Sequence, residues 1–510
     1  MKSHIFDTVV VGGGVAGAYA AWRLARAGVR SVGLFEYSDR IGGRLKSLEI
    51  PGVRSKAELG GMRFLSSHRR VGKLVERFGL PVEELAVSDP GGRNLYYLRG
   101  RHFCERDWRD PAFVPPYQLD RFEKARSPSN LLHSVALKYQ DRSQELGGIG
   151  FWNLLLDEYS DEAYRLIQDA GGYDTIVSNW SAAEAIPFLI ADFAPGLRYM
   201  KLVDGFESLP RTLAERFQNA GGLVRLSHRL HRIDYEEADA MFKLVFDTSQ
   251  QNRARRAPTG DSTTLIAAKR VVLAMPRRSI ELLHPESILF REPEFEDAIR
   301  AVLPQPAFKL FAAYADPWWR HSRGIVAGRS ATDLPIRQCY YWHTGDPARP
   351  IGDKNSMLMA SYNDGASVEF WSGLARSADR YQPKPEVCPP GVGIPEFVQN
   401  QSASHQLVTE MQRQLRELHG LNHNGEHSDA IDPYVAVFQD WTEEPFGGGW
   451  HFWKIGTDAR KVMRLMRRPI KNIPLHVCGE AWSQQQGWVE GALETTDEML
   501  DAEFQLIQEV

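Results

Sequence analysis

The chain has 510 residues, 43% hydrophobic and 25% charged, and its 61 Lys and Arg against 65 Asp and Glu give a formal net charge of −4. A length of this order divides into two or more compact units, which excludes a small binding module. The near balance of charge lacks the basic footprint of a nucleic-acid or anionic-membrane binder, and no run approaches the ~18 apolar residues of a membrane span.

Four scattered cysteines (Cys104, Cys339, Cys388, Cys478) show no pairing or Cys/His spacing, so neither a disulfide framework nor a metal site is expected. The first residues carry no apolar leader with a small-residue cleavage site, and the expected location is cytoplasmic.

In chain order, a β-branched run at 7–11 enters Gly12-Gly13-Gly14-Val15-Ala16-Gly17. A helical pattern follows at 18–27, ended by Gly28, and a second strand at 31–35 closes on Glu36. This is a strand-helix-strand unit in about 30 residues. Residues 111–200 are rich in helix formers, with patterns at 131–139 and 151–167, and predict a helical insert. From Gly222 strands are predicted at 224–226, 242–246 and 270–274, broken by a polar run at 249–262 read as an exposed loop. Further strands fall at 309–314, 338–342, 356–362 and 434–438. Residues 474–480 predict a last strand, and 490–510 a closing helix with Leu493, Met499, Leu500, Phe504 and Ile507 on or near one apolar stripe. The two ends of the chain are expected to share one sheet.

Gly12-x-Gly14-x-x-Gly17 is weak alone, since a tight turn with no ligand has the same glycines. Its setting between a strand and a helix, with Glu36 about 20 positions further on, is that of a dinucleotide site. The glycines let backbone N–H groups approach a pyrophosphate at a helix N-terminus, and the carboxylate reads a ribose hydroxyl. Arg40-Ile41-Gly42-Gly43-Arg44 follows at once. A second glycine pair flanked by guanidinium groups suits a cofactor longer than a nicotinamide dinucleotide, which points to FAD. Glu58-Leu59-Gly60-Gly61-Met62-Arg63 repeats paired glycines beside an arginine, a fork able to take a carboxylate. Near the end, Gly479-Glu480-Ala481-Trp482 and Gly487-Trp488-Val489-Glu490 place a helix start where it can face developing negative charge, with Trp488 as a wall.

Together these blocks resemble the flavin amine oxidase family, and within it the L-amino acid oxidases more than the monoamine or polyamine oxidases. The resemblance implies an α/β fold of the GR2 type. A Rossmann-like FAD-binding domain is expected at 1–66, 202–304 and 455–510, a mixed-sheet substrate domain at 67–110 and 305–454, and a helical domain at 111–201. Residues 202–210 and 328–335 are also similar to family segments.

The implied FAD contacts begin with Gly12, Gly14, Val15, Ala16 and Gly17 of the first turn, with Glu36 at the ribose. Arg40, Gly43 and Arg44 come next, then Gly60, Gly61, Met62 and Arg63. The main chain at Leu230 falls at the adenine, and Gly479, Glu480, Gly487, Trp488 and Val489 complete the set. For substrate, Arg63 and Tyr362 match the family's carboxylate clamp, the Gly487 carbonyl is placed to accept from the amine, and Trp488 and Trp441 wall the pocket. Lys309 matches the lysine that holds a water near flavin N5. Trp482 stands where tyrosine is usual, so the contact there departs from the family. No cysteine is placed for a covalent flavin bond, which implies noncovalent FAD.

The activity implied is oxidative deamination of an L-amino acid to a 2-oxo acid, ammonia and H2O2, by hydride transfer from Cα to flavin N5. Lys309 is expected to act as a fixed positive charge in the O2 half-reaction. A small-molecule L-amino acid and O2 are the expected partners, with a homodimer as a further expectation and no metal, nucleic acid or membrane. The alternatives are an amine dehydrogenase, an amino acid monooxygenase, a polyamine or monoamine oxidase, and a flavoprotein scaffold. Trp371, Trp441, Trp450 and Trp453 offer aromatic surface for the substrate side chain, while Asp192, Asp204 and Glu184 are the acids available to a basic one.

Overall fold

Val9 and Val11 pack into one apolar core and Val10 into another, so the strand Ile5–Val11 is covered on both faces. That is the environment of a parallel strand in a doubly wound sheet. In the computed structural model, which describes residues 5–124, 126–175, 179–192, 196–249, 263–345, 355–421 and 431–509, this strand is central. Its parallel neighbours are Val32–Phe35 on one side and Thr263–Leu273 on the other, with Leu223–Arg225 beyond Val32–Phe35. The long strand Thr263–Leu273 changes partner along its far edge. Its first half pairs antiparallel with Met241–Asp247, and its last three residues pair parallel with Leu475–Val477. The N-terminal and C-terminal strands thus meet on one element, as expected.

The helix Val15–Arg26 packs Tyr19 and Leu24 against Leu209 and Leu213 of Ser208–Asn219 and Leu493 of Val489–Phe504, burying all five residues.

A second sheet of seven strands runs in the order Val435–Asp440, Ala307–Tyr314, Ser356–Asp364, Gln338–His343, Arg329–Thr332, Leu95–Leu98, Arg101–Cys104. Every residue of Ala307–Tyr314 is buried. Phe308, Leu310, Ala312 and Tyr314 face one core, while Phe311 and Ala313 face another together with Met62 and Leu59. Four helices, Pro128–Tyr139, Phe151–Glu158, Asp161–Gly171 and Ala182–Asp192, build a separate core in the helical region.

Three expectations need correction. The pattern at 151–167 is two helices, because Ser160 ends the first and caps the second, its Oγ accepting from Ala163 N at 3.2 Å. The closing helix stops at Phe504, where Gln505 turns left-handed at φ 58°, and Ile507 is 84% exposed instead of joining the stripe. The strand character expected to resume at Leu265 and again at 270–274 is one continuous strand, Thr263–Leu273. Of the polar run at 249–262, residues 250–262 lie outside the described residues. No helix among the described residues is long and apolar enough to cross a membrane.

Candidate active site

A single cavity of about 900 Å³ runs from the first glycine turn, along the Gly60-Gly61 segment, to the second sheet and the helical region. At its first end lie Gly12, Gly14, Val15 and Ala16. Gly14 is the N-cap of Val15–Arg26, with no side-chain cap and no acidic residue in the first turn. An uncapped helix start facing a cavity is suited to an anion. A Cβ on Gly14 would meet nothing nearer than Gly43 Cα at 3.9 Å, so the glycine leaves open space in the cradle. Gly17 acts differently: its Cβ would fall 1.9 Å from the Gly12 carbonyl oxygen, and it does not line the cavity. What the structure shows for it is close packing of helix on turn.

Glu36 is buried and lines the cavity. One carboxylate oxygen accepts from Ser38 N and Oγ, each at 2.8 Å, and the other from Gly13 N. A carboxylate has about four acceptor positions, which leaves capacity for a ribose hydroxyl. Leu230 lines the same end with its neighbours His228 and Arg229.

The two arginines of the second glycine element part company. Arg44 reaches the cavity, donating to Glu480 Oε2 at 2.8 Å and to the Gly449 carbonyl at 3.0 Å. Arg40 folds back on its own loop, donating to the carbonyls of Leu45 (2.8 Å) and Gly43 (2.6 Å) and pairing with Glu207 at 3.4 Å. It does not line the cavity, and its hydrogen bonds brace the loop around Gly43. Glu480 also accepts from His451 Nδ1 and from the backbone N–H groups of His451 and Gly487. Burial pushes its carboxyl up, but Arg44, His451 and these donors outweigh burial and hold it near 2. Gly479, Gly487, Trp488 and Val489 line the cavity beside it.

Midway, Lys309 Nζ donates to the main-chain carbonyls of Gly60 (2.6 Å) and Glu58 (3.3 Å) and sits 4.7 Å from the Tyr362 ring centroid. Burial lowers its pKa, Glu58 partly restores it and Arg63 lowers it again, to about 7. Burial thus works against the positive charge expected of Lys309. Burial likewise pushes Glu58 up to about 7, against hydrogen bonds from Ser47 and Phe206 N.

Beyond Lys309 lies Arg63. Its guanidinium is 4.0 Å from the Tyr199 ring centroid, and its Nη1 makes one long contact, 3.4 Å, to Tyr340 Oη. Among the described residues no carboxylate lies within ion-pair distance of it. Tyr362 lines the cavity next to it, its ring edge-on to Tyr173 at 5.6 Å. Trp441 donates to the Leu59 carbonyl at 2.8 Å and, with Trp488 and Trp450, contributes to the wall. Trp371 and Trp453 do not line it: both are buried and donate to the carbonyls of Pro335 and Ser483. Trp482, at the family's tyrosine position, points into the first sheet's core and donates to the Ala298 carbonyl at 3.1 Å. Of the three acids, Asp192 lines the cavity, while Asp204 is exposed and Glu184 lies elsewhere.

Sequence reasoning missed Tyr340, Tyr173, Tyr199 and Arg329, all of which line the cavity. Arg329 was visible only as part of the similar segment 328–335. Its cross-strand partner is Tyr340, so the hairpin delivers both side chains together.

The cradle at Gly14, the uncapped helix start and the carboxylate with spare acceptor positions fit the pyrophosphate and ribose of FAD. Among the described residues no cysteine lines the cavity, which leaves no thiol there for a covalent flavin bond. A doubly wound nucleotide sheet joined through one cavity to a second, mixed sheet defines a flavin-dependent oxidoreductase. The chain belongs to the family described as flavin containing amine oxidoreductase, whose pattern matches residues 15–382 and 396–496.

Aplysianin-A of Aplysia kurodai is 27% identical over 543 residues, covering 98% of this chain and 90% of its own. An L-amino-acid oxidase of Demansia vestigiata is 27% identical over 504 residues, covering 96% and 84%. The solved structure of putrescine oxidase bound to putrescine superposes with a TM-score of 0.66 at 16% identity, covering 98% of this chain and 99% of that one, a likeness of fold.

Proposed function

We propose that the protein is an FAD-dependent L-amino acid oxidase that deaminates its substrate to a 2-oxo acid and ammonia, with O2 reduced to H2O2. The observation that carries this reading is Arg63, a guanidinium inside the nucleotide-binding cavity with no carboxylate partner among the described residues. A guanidinium stays charged at any working pH and is stabilised by a planar anion. The α-carboxylate of an amino acid supplies one; a simple amine or polyamine does not.

In this reading Arg63 and the Tyr362 hydroxyl hold the α-carboxylate, and Tyr199 beneath the guanidinium keeps the fork in plane. The Gly487 carbonyl accepts from the substrate nitrogen, with Trp488 and Trp441 confining it. Bound FAD supplies the two-electron acceptor for the Cα–H hydride. The protein's part is orientation, which accounts for up to ~7–11 kcal/mol in well-aligned reactions. Lys309, held by two carbonyls from the Gly60 segment, places its ammonium or amine on the same side of the cavity and changes charge near neutrality.

Anaerobic mixing of the purified flavoprotein with L-amino acids, D-amino acids and simple amines, followed at the flavin absorbance band, tests the reading. Bleaching by L-amino acids, then H2O2 and 2-oxo acid on admitting air, is expected. Bleaching by amines alone overturns it.

A further inference from the structure

At the substrate end of the cavity a further guanidinium, that of Arg329, accompanies Arg63. Arg329 Nη1 donates to the Gly171 carbonyl at 3.0 Å and to Gln338 Oε1 at 2.6 Å. Its Nε and Nη2 groups have no acceptor among the described residues, and no carboxylate lies within ion-pair distance of it there. Tyr340 stands between the two arginines: its Oη contacts Arg63 Nη1 at 3.4 Å and Gln338 Oε1 at 3.3 Å, and Gln338 Oε1 is the atom Arg329 holds. Burial alone would raise the Tyr340 phenol, yet the two guanidiniums outweigh it and lower it. Two charges of one sign facing one cavity are costly without anions to meet them.

Resting on the L-amino acid oxidase reading, we infer that the preferred substrate is an acidic L-amino acid, its α-carboxylate on Arg63 and its side-chain carboxylate on the free donors of Arg329. The neighbouring groups favour this over the other side-chain classes. The aromatic wall is already satisfied within itself: Trp180 stacks on Phe452 at 4.0 Å with rings 2° from parallel, and packs edge-on against Phe188 at 5.1 Å. An aromatic side chain would also leave the Nε and Nη2 donors of Arg329 without an acceptor. Asp192 and Glu105 line the cavity and are the acids a cationic side chain would meet; neither pairs with Arg63 or Arg329, Glu105 accepts from Ser88 Oγ at 2.7 Å, and burial pushes the Asp192 carboxyl up to about 7, only partly offset by Arg63. Burial thus works against the charge on Asp192, whereas both guanidiniums remain charged. A basic side chain would add a further positive charge beside Arg63, Arg329 and Lys309.

The test uses the purified holoenzyme. Wild-type kcat/KM is measured for L-glutamate, L-aspartate, L-glutamine, L-leucine, L-phenylalanine and L-lysine, alongside Arg329→Gln. The acidic substrates are expected to lead, and the ratio of kcat/KM for L-glutamate to that for L-glutamine is expected to fall roughly 100-fold in Arg329→Gln, mostly through KM. A second measurement needs no variant: flavin difference spectra on wild type titrated with glutarate against butyrate, where tighter binding of the dianion is expected. Preference for L-lysine, L-leucine or L-phenylalanine, an unchanged ratio in Arg329→Gln, or equal binding of glutarate and butyrate overturns the assignment of Arg329. Turnover of none of the six amino acids, with amines accepted, instead overturns the underlying oxidase reading.

Discussion

Lys309 Nζ lies 2.6 Å from the Gly60 carbonyl, tying the most deeply buried strand of the second sheet to the glycine pair that precedes Arg63. One ammonium thus bridges a segment near residue 60 to one near residue 310. The bond fixes where the guanidinium begins, three residues after the tethered carbonyl. It also leaves the lysine in surroundings poor enough in water to bring its pKa near 7.

That shift has a sign that can be tested. A buried lysine whose folded pKa lies below the ordinary 10.5 binds fewer protons in the folded state. Its contribution to stability therefore rises with pH between about 7 and about 10.5. The gap in urea midpoint between wild type and Lys309→Met is expected to move in favour of wild type from pH 7 to about pH 9.5. A gap that is flat or moves the other way means the amine is not held neutral.

Arg63→Gln removes the charged fork while keeping a polar side chain. Loss of one partner of a buried charged hydrogen-bonded pair costs about 2–5 kcal/mol, so kcat/KM for L-amino acids is expected to fall by about 30-fold to several thousand-fold. Arg63→Lys is expected to recover only a small part, because a point charge cannot reproduce the planar fork stacked on Tyr199. Steady-state kinetics decide this, and a variant with undiminished turnover removes Arg63 from substrate binding.

Gly14 and Gly17 separate cofactor space from packing. Gly14→Ala meets ordinary contacts, so the apoprotein should unfold within about 1 kcal/mol of wild type while flavin is retained poorly. Gly17→Ala drives a methyl to 1.9 Å from the Gly12 carbonyl oxygen and should cost at least 1–3 kcal/mol of overpacking in the apoprotein as well. Apoprotein melting beside flavin retention on a desalting column distinguishes the two.

Glu480→Gln takes away the partner of Arg44 and the charged acceptor for His451 and Gly487 N. Breaking such a pair typically costs about 3–5 kcal/mol. The carboxyl is held near 2, below its ordinary 4.5, so its stabilisation is fully present above about pH 4.5 and is lost as pH falls toward 2. The variant should therefore lie well below wild type in melting temperature at pH 7, with the gap narrowing on acidification; a gap constant to pH 3 counts against the ion pair.

The chain itself made the nucleotide half legible. Strand, glycine turn, helix, second strand and Glu36 all fall within residues 5–36, so local pattern and spacing carry the whole argument. Arg63 was legible for the same reason, standing directly behind its glycine pair. The fates of Arg40 and Gly17 were not, because a motif tells which backbone is present and not whether a side chain turns toward the ligand or back on its own loop.

What the sequence by itself determined was the flavin site and the guanidinium next to it, both written in short consecutive stretches. What only the tertiary structure decided was the company Arg63 keeps. Tyr199, Arg329, Tyr340 and Tyr362 are separated from it by more than a hundred residues, and no periodicity of the chain records which strands will lie side by side. Pairing across the hairpin that joins Arg329 to Tyr340 places a further guanidinium in the same cavity as Arg63. Burial then sets the titration of Lys309, Glu58 and Asp192, a property of the folded surroundings that the side chains do not have in water.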